Sequence, residues 1–149
     1  IPRLLDMKIE PFLLPMTLNL MIAQRLVGTL CPKCKKEEEA PSNIQEIISR
    51  ALIGLGAELS GKHKKPYVIY HSFGCNFCKG KGVFGRTAMF EVLEMTEGLA
   101  ETINTGPTLQ KIVKETKAQG MITLRQDGVL KALAGIISIE EAIGNSEEM

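Results

Sequence analysis

Along this chain the apolar positions change their spacing several times, and each change predicts an element. Residues 1–11 (IPRLLDMKIEP) hold no sustained period and predict a short extended segment. From Pro15 to Thr29 the apolar residues Leu14, Leu18, Met21, Ile22, Leu26 and Val27 fall on nearly every side of a helix. Such a helix must be covered by something. Between Asn43 and Ile53, Ile44, Ile47, Ile48, Ala51 and Leu52 repeat at helical spacing. Ser42 with Gln45 three places on gives that helix a capping-box pattern, and Gly54 stops it.

Residues 54–65, rich in Gly and Lys, predict a loop. Pro66 then opens a β-branched and aromatic run, Tyr67 to Phe73, which predicts a strand. Val83 to Leu93 predicts another, interrupted by Gly85. The remainder is helical: Glu97 to Asn104, Leu109 to Gln119, Thr123 to Ala134, and a final turn where Ser138 and Glu141 repeat the capping pattern. Pro107 stands where a helix begins, Gly120 and Gly135 where helices stop. Met121, Leu124, Leu130 and Leu133 are read as core, and Arg125, Asp127 and Lys131 as local charge pairs. The class is α+β, mostly helical, with short strands.

The apolar stretch Phe12 to Leu30 raises the question of a membrane span, which needs about 20 mostly apolar residues. Pro15, Asn19, Gln24 and Arg25 interrupt it, so it predicts a buried helix of a soluble protein. The net charge is +1, which supplies no field toward nucleic acid or anionic lipid. Aromatic residues are 5% of the chain, leaving few platforms for base stacking. The first residue is Ile1, and no secretory leader pattern follows it.

The cysteines carry the most specific signal. Cys31 and Cys34 form one C-x-x-C pair, Cys75 and Cys78 a second, with residues 35–74 between them. Two intervening residues let one tight turn aim both sulfurs at a point, and two such turns complete a tetrahedron. The four are therefore the candidate ligands of one structural zinc ion. After Cys78, Gly80 and Gly82 permit positive φ and let backbone N–H groups approach the sulfurs. Four thiolates around Zn²⁺ leave a formal charge of about −2, which Lys33, Lys35, Lys36, Lys79 and Lys81 lie close enough to offset. Competing readings are two disulfides, a dithiol redox pair and a rubredoxin-like iron site. A redox C-x-x-C expects a βαβ setting that neither pair has. His71, four residues before Cys75, is read as a strand residue facing solvent rather than a fifth candidate.

Gly56-Ala57-Glu58-Leu59-Ser60-Gly61-Lys62-His63 nearly spells a phosphate-binding loop, but His63 occupies the position of the Mg²⁺-binding hydroxyl. It also follows a helix where the motif follows a strand. It is read as a solvated basic loop, and no catalytic residue is assigned.

Several ordered motifs together resemble the C-terminal region of the type II secretion and type IV pilus assembly ATPases. They are Ile9-Glu10-Pro11-Phe12-Leu13-Leu14, Ala23-Gln24-Arg25-Leu26-Val27 running into Cys31-Pro32-x-Cys34, Cys75-x-x-Cys78-x-Gly80-x-Gly82, Gly85-Arg86, Phe90-Glu91-Val92-Leu93, and Gly120-Met121-x-Thr123-Leu124-Arg125-x-Asp127-Gly128. Pro15 departs from the small residue of that family, and Ala88-Met89 replaces a commoner Gly-Ile pair. The resemblance implies a cytoplasmic homo-hexamer associated with the bacterial inner membrane. ATP and Mg²⁺ would be bound elsewhere in a longer parent, which drives an inner-membrane platform protein and its assembly partners in filament growth and protein export. It further implies that this fragment is inactive alone, and that Gln24 and Arg25 face a nucleotide cleft, a subunit contact or a structural ion pair. On it the chain divides into the end of an ATPase core (1–30), a tetracysteine module (31–82), and a strand with a helical subdomain (83–149). The alternatives are a nucleic-acid-binding zinc module, disfavoured by charge and aromatic content, and a module resembling the zinc repeats of DnaJ cochaperones.

Overall fold

The computed structural model describes residues 1–146, so the last three residues of the segment 83–149 lie outside the described part. The chain opens with α1 (Pro2–Asp6), where an extended segment was expected, and α2 (Leu13–Thr17), which overlaps only the first residues of the helix expected from Pro15. Pro2 sits at the first helical position, where its missing N–H costs nothing. The larger correction follows. Leu20–Leu30 is a strand, β1, not a buried helix, and it pairs with β4 (Val83–Glu94) in a two-stranded sheet. Leu, Met, Ala, Gln and Arg are strong helix formers, but intrinsic propensity yields to tertiary pairing. Apolar residues on both sides suit a strand as well as a helix.

After the first cysteine pair the charged run Lys35–Glu39 is strand β2, antiparallel to β3 (Val68–Ser72) with Lys35 opposite Ser72 and Glu39 opposite Val68. Helix α3 (Ser42–Ala51) lies where the apolar spacing placed it, with Ile48, Ala51 and Leu52 buried. Its capping box is absent: Ser42 makes no cap bond. Gln45 instead donates to the carbonyls of Ala40 and Tyr67 at 3.1 and 3.2 Å and accepts from the Tyr67 N–H at 2.9 Å. The loop before β3 contains one turn of helix, α4 (Ala57–Ser60), which follows α3 rather than a strand, as the rejected phosphate-loop match requires.

Helices α5 (Glu97–Asn104), α6 (Leu109–Ala118), α7 (Leu124–Leu133) and α8 (Ile139–Gly144) complete the chain. Each begins on a hydroxyl that accepts a backbone N–H: Thr96, Thr108, Thr123 and Ser138. Thr123 and Gln126 make the full reciprocal box.

Two compact units result. One comprises Ile1–Ile22 and Val92–Met121, around Leu14, Leu99 and Ile103. The other comprises Ala23–Glu91 and Ile122–Met149, and its core joins Val27, Ile48, Ile69, Met89, Val129, Ile137 and Ile139. Leu124, Leu130 and Leu133 pack against that second core, as expected of them, whereas Met121, also read as core, is half-buried and belongs to neither core. The charge pair Asp127–Lys131 forms, but it does more than decorate a helix. Asp127 Oδ2 accepts the Phe90 N–H at 2.8 Å and Lys131 Nζ donates to the Ala88 carbonyl at 2.8 Å, so the pair fastens α7 to β4. Arg125 takes no part in it and donates to the Ser146 carbonyl.

Candidate metal centre

The second unit brings both cysteine pairs to one place. Cys31 follows β1, and its N–H donates to the Gly82 carbonyl at 2.9 Å. The N–H groups of Cys34 and Lys35 both donate back to the Cys31 carbonyl, at 3.3 and 3.0 Å, closing a turn that sends both sulfurs the same way. The second turn leaves β3 through Gly74. The Gly80 N–H closes it on the Cys75 carbonyl at 2.9 Å. The contacts Cys31–Cys75, Cys34–Cys78 and Cys75–Cys78 measure 3.8, 3.9 and 3.8 Å between sulfurs, and all four lie within 4.8 Å of one another.

Those distances separate the competing chemistries. A disulfide requires about 2.05 Å, and all four thiols are free. A tetrahedron whose vertices lie about 2.3 Å from a central zinc has edges of about 3.8 Å, which the sulfur contacts match. The donor set fits a thiolate-bound zinc; iron in the same S₄ geometry fits equally. Cys31 and Cys78 are buried, the other two half-buried.

Backbone donors single out one sulfur. The N–H groups of Cys75 and Gly82 reach Cys78 Sγ at 3.1 and 3.2 Å. Burial opposes ionisation of this thiol, but those two donors and the neighbouring thiols of Cys75 and Cys31 outweigh it and bring its pKa down to about 6. Burial pushes the Cys34 thiol the other way, up to about 12, with its sulfur neighbours adding to the rise and the Gly74 N–H opposing it. Cys78 is the sulfur best prepared to bind as thiolate.

The glycines act as the spacing suggested. Gly80 and Gly82 have φ of +77° and +69°. A Cβ on Gly82 would stand 2.8 Å from the Ser72 carbonyl oxygen, whereas one on Gly80 meets nothing within 4 Å. Gly74 was not singled out, yet it is the tightest position: φ is +87°, and a Cβ there would stand 2.5 Å from the Gly80 oxygen. A glycine directly before a C-x-x-C turn was the available signal. His71 stays out of the cluster, its Nε2 2.9 Å from Glu38 Oε1. Of the five lysines expected to offset the thiolate charge, Lys35 is committed elsewhere, donating to the Gly135 carbonyl at 2.7 Å.

Gln24 and Arg25 lie on β1 and are exposed. The ion pairs found among the described residues are His71–Glu38 and Lys131–Asp127, so Arg25 has no carboxylate partner there. It borders a shallow cavity of 440 Å³ together with Glu91, Thr123 and Asn145. No helix of the described residues is long and apolar enough to cross a membrane.

A family model described as type II/IV secretion system protein matches residues 1–144. The type IV pilus assembly ATPase PilB of Myxococcus xanthus is 38% identical over 98% of this chain and 24% of its own length. The type II secretion system ATPase E of Vibrio cholerae is 36% identical over 99% of this chain and 27% of its own. PilB of Pseudomonas aeruginosa is 36% identical over 93% and 23%. The chain thus spans about a quarter of the length of these curated relatives.

Proposed function

Because the chain belongs to the type II/IV secretion system protein family, we propose that it is the zinc-pinned C-terminal part of a hexameric ATPase that powers filament assembly and protein export. Cys31, Cys34, Cys75 and Cys78 are the zinc ligands. The convergence of their sulfurs within 4.8 Å, from turns separated by residues 35–74, is the observation that carries this reading. Bound zinc supplies four metal–sulfur bonds and does no chemistry on substrate. The chain's own part is to hold the thiolates: the two turns aim them, and the Gly82 and Cys75 N–H groups stabilise the charge on Cys78.

Residues 31–82 form the tetracysteine module, 1–30 the end of the ATPase core, and 83–149 the helical part. ATP and Mg²⁺ bind in the portion of the parent outside these residues, since the near-match at Gly56–His63 lacks both the hydroxyl and the strand–helix junction. The parent works in the cytoplasm against the inner membrane, on a platform protein there. Similarity that extends over residues 1–144 supports this over a DnaJ-like repeat, which would account for the cysteines and leave the helices unexplained.

The test uses full-length protein made in a reducing cytosol. Elemental analysis is expected to find one zinc per chain, lost in a Cys75→Ser variant together with filament assembly or export in the host. ATP hydrolysis is expected of the full-length protein and not of residues 1–149 alone. Metal-free wild-type protein, or hydrolysis by the fragment, overturns the proposal.

A further inference from the structure

The first cysteine turn is bracketed by two hydrogen bonds to a single remote turn. Leu30, directly before Cys31, donates its N–H to the Ile136 carbonyl at 2.9 Å. Lys35, directly after Cys34, donates Nζ to the Gly135 carbonyl at 2.7 Å. Gly135 and Ile136 form the turn that ends α7 and leads to α8. That turn has the geometry of a helix stop: Gly135 has φ of +66°, and the N–H groups of Gly135 and Ile136 return to Ala132 and Lys131.

Packing reinforces the bonds. The Lys35 ammonium sits 5.4 Å from the centre of the Tyr70 ring. The same ring lies against Gly135, where a Cβ would stand 2.9 Å from Cδ2. Just beyond, Ile137 and Ile139 are fully buried and belong to the second unit's core. Lys35 is also the first residue of β2 and pairs with Ser72, three residues before Cys75. It therefore stands between the two cysteine turns, and whatever holds those turns together fixes its backbone.

We propose that the metal centre positions the α7–α8 turn, and that Lys35 is the positioning residue that carries metal occupancy to the C-terminal helix pair. This rests on the zinc reading above. Without metal no bond joins the four sulfurs, and the two turns are free to separate. Lys35 then loses its anchored backbone, and the Gly135 and Ile136 carbonyls lose the two donors that hold them. With metal bound, the helix pair is held in one place.

The experiment is hydrogen–deuterium exchange on full-length, zinc-loaded protein, followed in peptides covering residues 130–140, with peptides of α5 and α6 as internal reference. Removing zinc is expected to speed exchange in 130–140 while α5 and α6 stay as they were. Lys35→Met with zinc still bound, verified by elemental analysis, is expected to speed exchange in 130–140 about tenfold, the effect of losing a hydrogen bond from a charged donor. Lys35→Arg, which retains a cationic donor, is expected to recover most of the protection. If the protein holds one zinc but 130–140 is unchanged in Lys35→Met, the coupling is refuted and the metal centre stands. If no zinc is found, the metal reading fails and the coupling with it.

Discussion

Three glycines around the second cysteine turn allow strain and steric contact to be measured apart. Alanine at Gly80, Gly82 or Gly74 must adopt positive φ, which costs an L-residue about 1–2 kcal/mol. At Gly80 nothing else follows, because no atom lies within 4 Å of the new Cβ. At Gly82 the Cβ meets the Ser72 carbonyl oxygen at 2.8 Å, and at Gly74 it meets the Gly80 oxygen at 2.5 Å. Both obstacles are backbone and cannot rotate away, so overpacking adds about 1–3 kcal/mol. If the turn is disordered without metal, the whole penalty appears in zinc affinity. Competition against a chromophoric chelator should then show Gly80→Ala about tenfold weaker than wild type. Gly82→Ala should be weaker than Gly80→Ala by a further fivefold to hundredfold, and Gly74→Ala at least as impaired. Equal affinities for Gly80→Ala and Gly82→Ala would refute the assignment of Gly82 to close backbone approach.

Elsewhere the effects should appear as stability rather than metal binding. Gly128→Ala places a methyl 2.7 Å from Met89 Sδ and 3.0 Å from Ala142 Cβ; urea unfolding is expected to show a loss of about 1–3 kcal/mol. Asp127→Asn weakens the pairing with Lys131 and the bond from the Phe90 N–H, and should lower the thermal midpoint by an amount equivalent to about 1–3 kcal/mol with zinc content unchanged. Gln45→Ala removes three bonds to the Ala40 and Tyr67 backbone; about 2–3 kcal/mol should be lost, with exchange rising at Val68 rather than at Ser72. In the metal-free protein the Cys78 thiol, its pKa lowered to about 6, contributes stability that is fully present above the ordinary thiol range and is lost as pH falls through that value. Cys78→Ser should therefore flatten the pH dependence of urea unfolding of the metal-free protein over that range, and an unchanged profile would contradict this.

What could be read from the sequence was what local chemistry decides. Helices α5 to α8 carry hydroxyl caps and glycine stops within a few residues of their ends, so their limits were legible. The second cysteine turn was legible for the same reason: Gly80 and Gly82 announce positive φ beside the sulfurs. β1 was not, because a strand with apolar residues on both faces and a helix covered all round present similar strings. β2 was less legible still. Lys-Lys-Glu-Glu-Glu has neither β-propensity nor alternation, and all five residues are exposed. Only its partner β3, some 30 residues on, makes it a strand. Gln45 shows the converse failure: a pattern suited to a local cap was used for a distant strand end.

That β2 exists at all bears on what the metal centre is for. A ribbon of two five-residue strands is marginal on its own in water, and one of these strands buries none of its residues. Closing the chain between Glu39 and Val68 adds an entropic cost that no local turn reduces. Two devices offset it, one at each end of the ribbon. At the Glu39–Val68 end Gln45 ties Ala40 to Tyr67. At the Lys35–Ser72 end stand Cys34 and Cys75, one and three residues beyond the pair. An amide clamp contributes a few kcal/mol at most, whereas a structural zinc in small peptides contributes about 10–16 kcal/mol. With zinc bound as proposed, the ribbon would be held chiefly from the cysteine end. It is from that end, through Lys35 and Leu30, that the chain reaches the turn between α7 and α8.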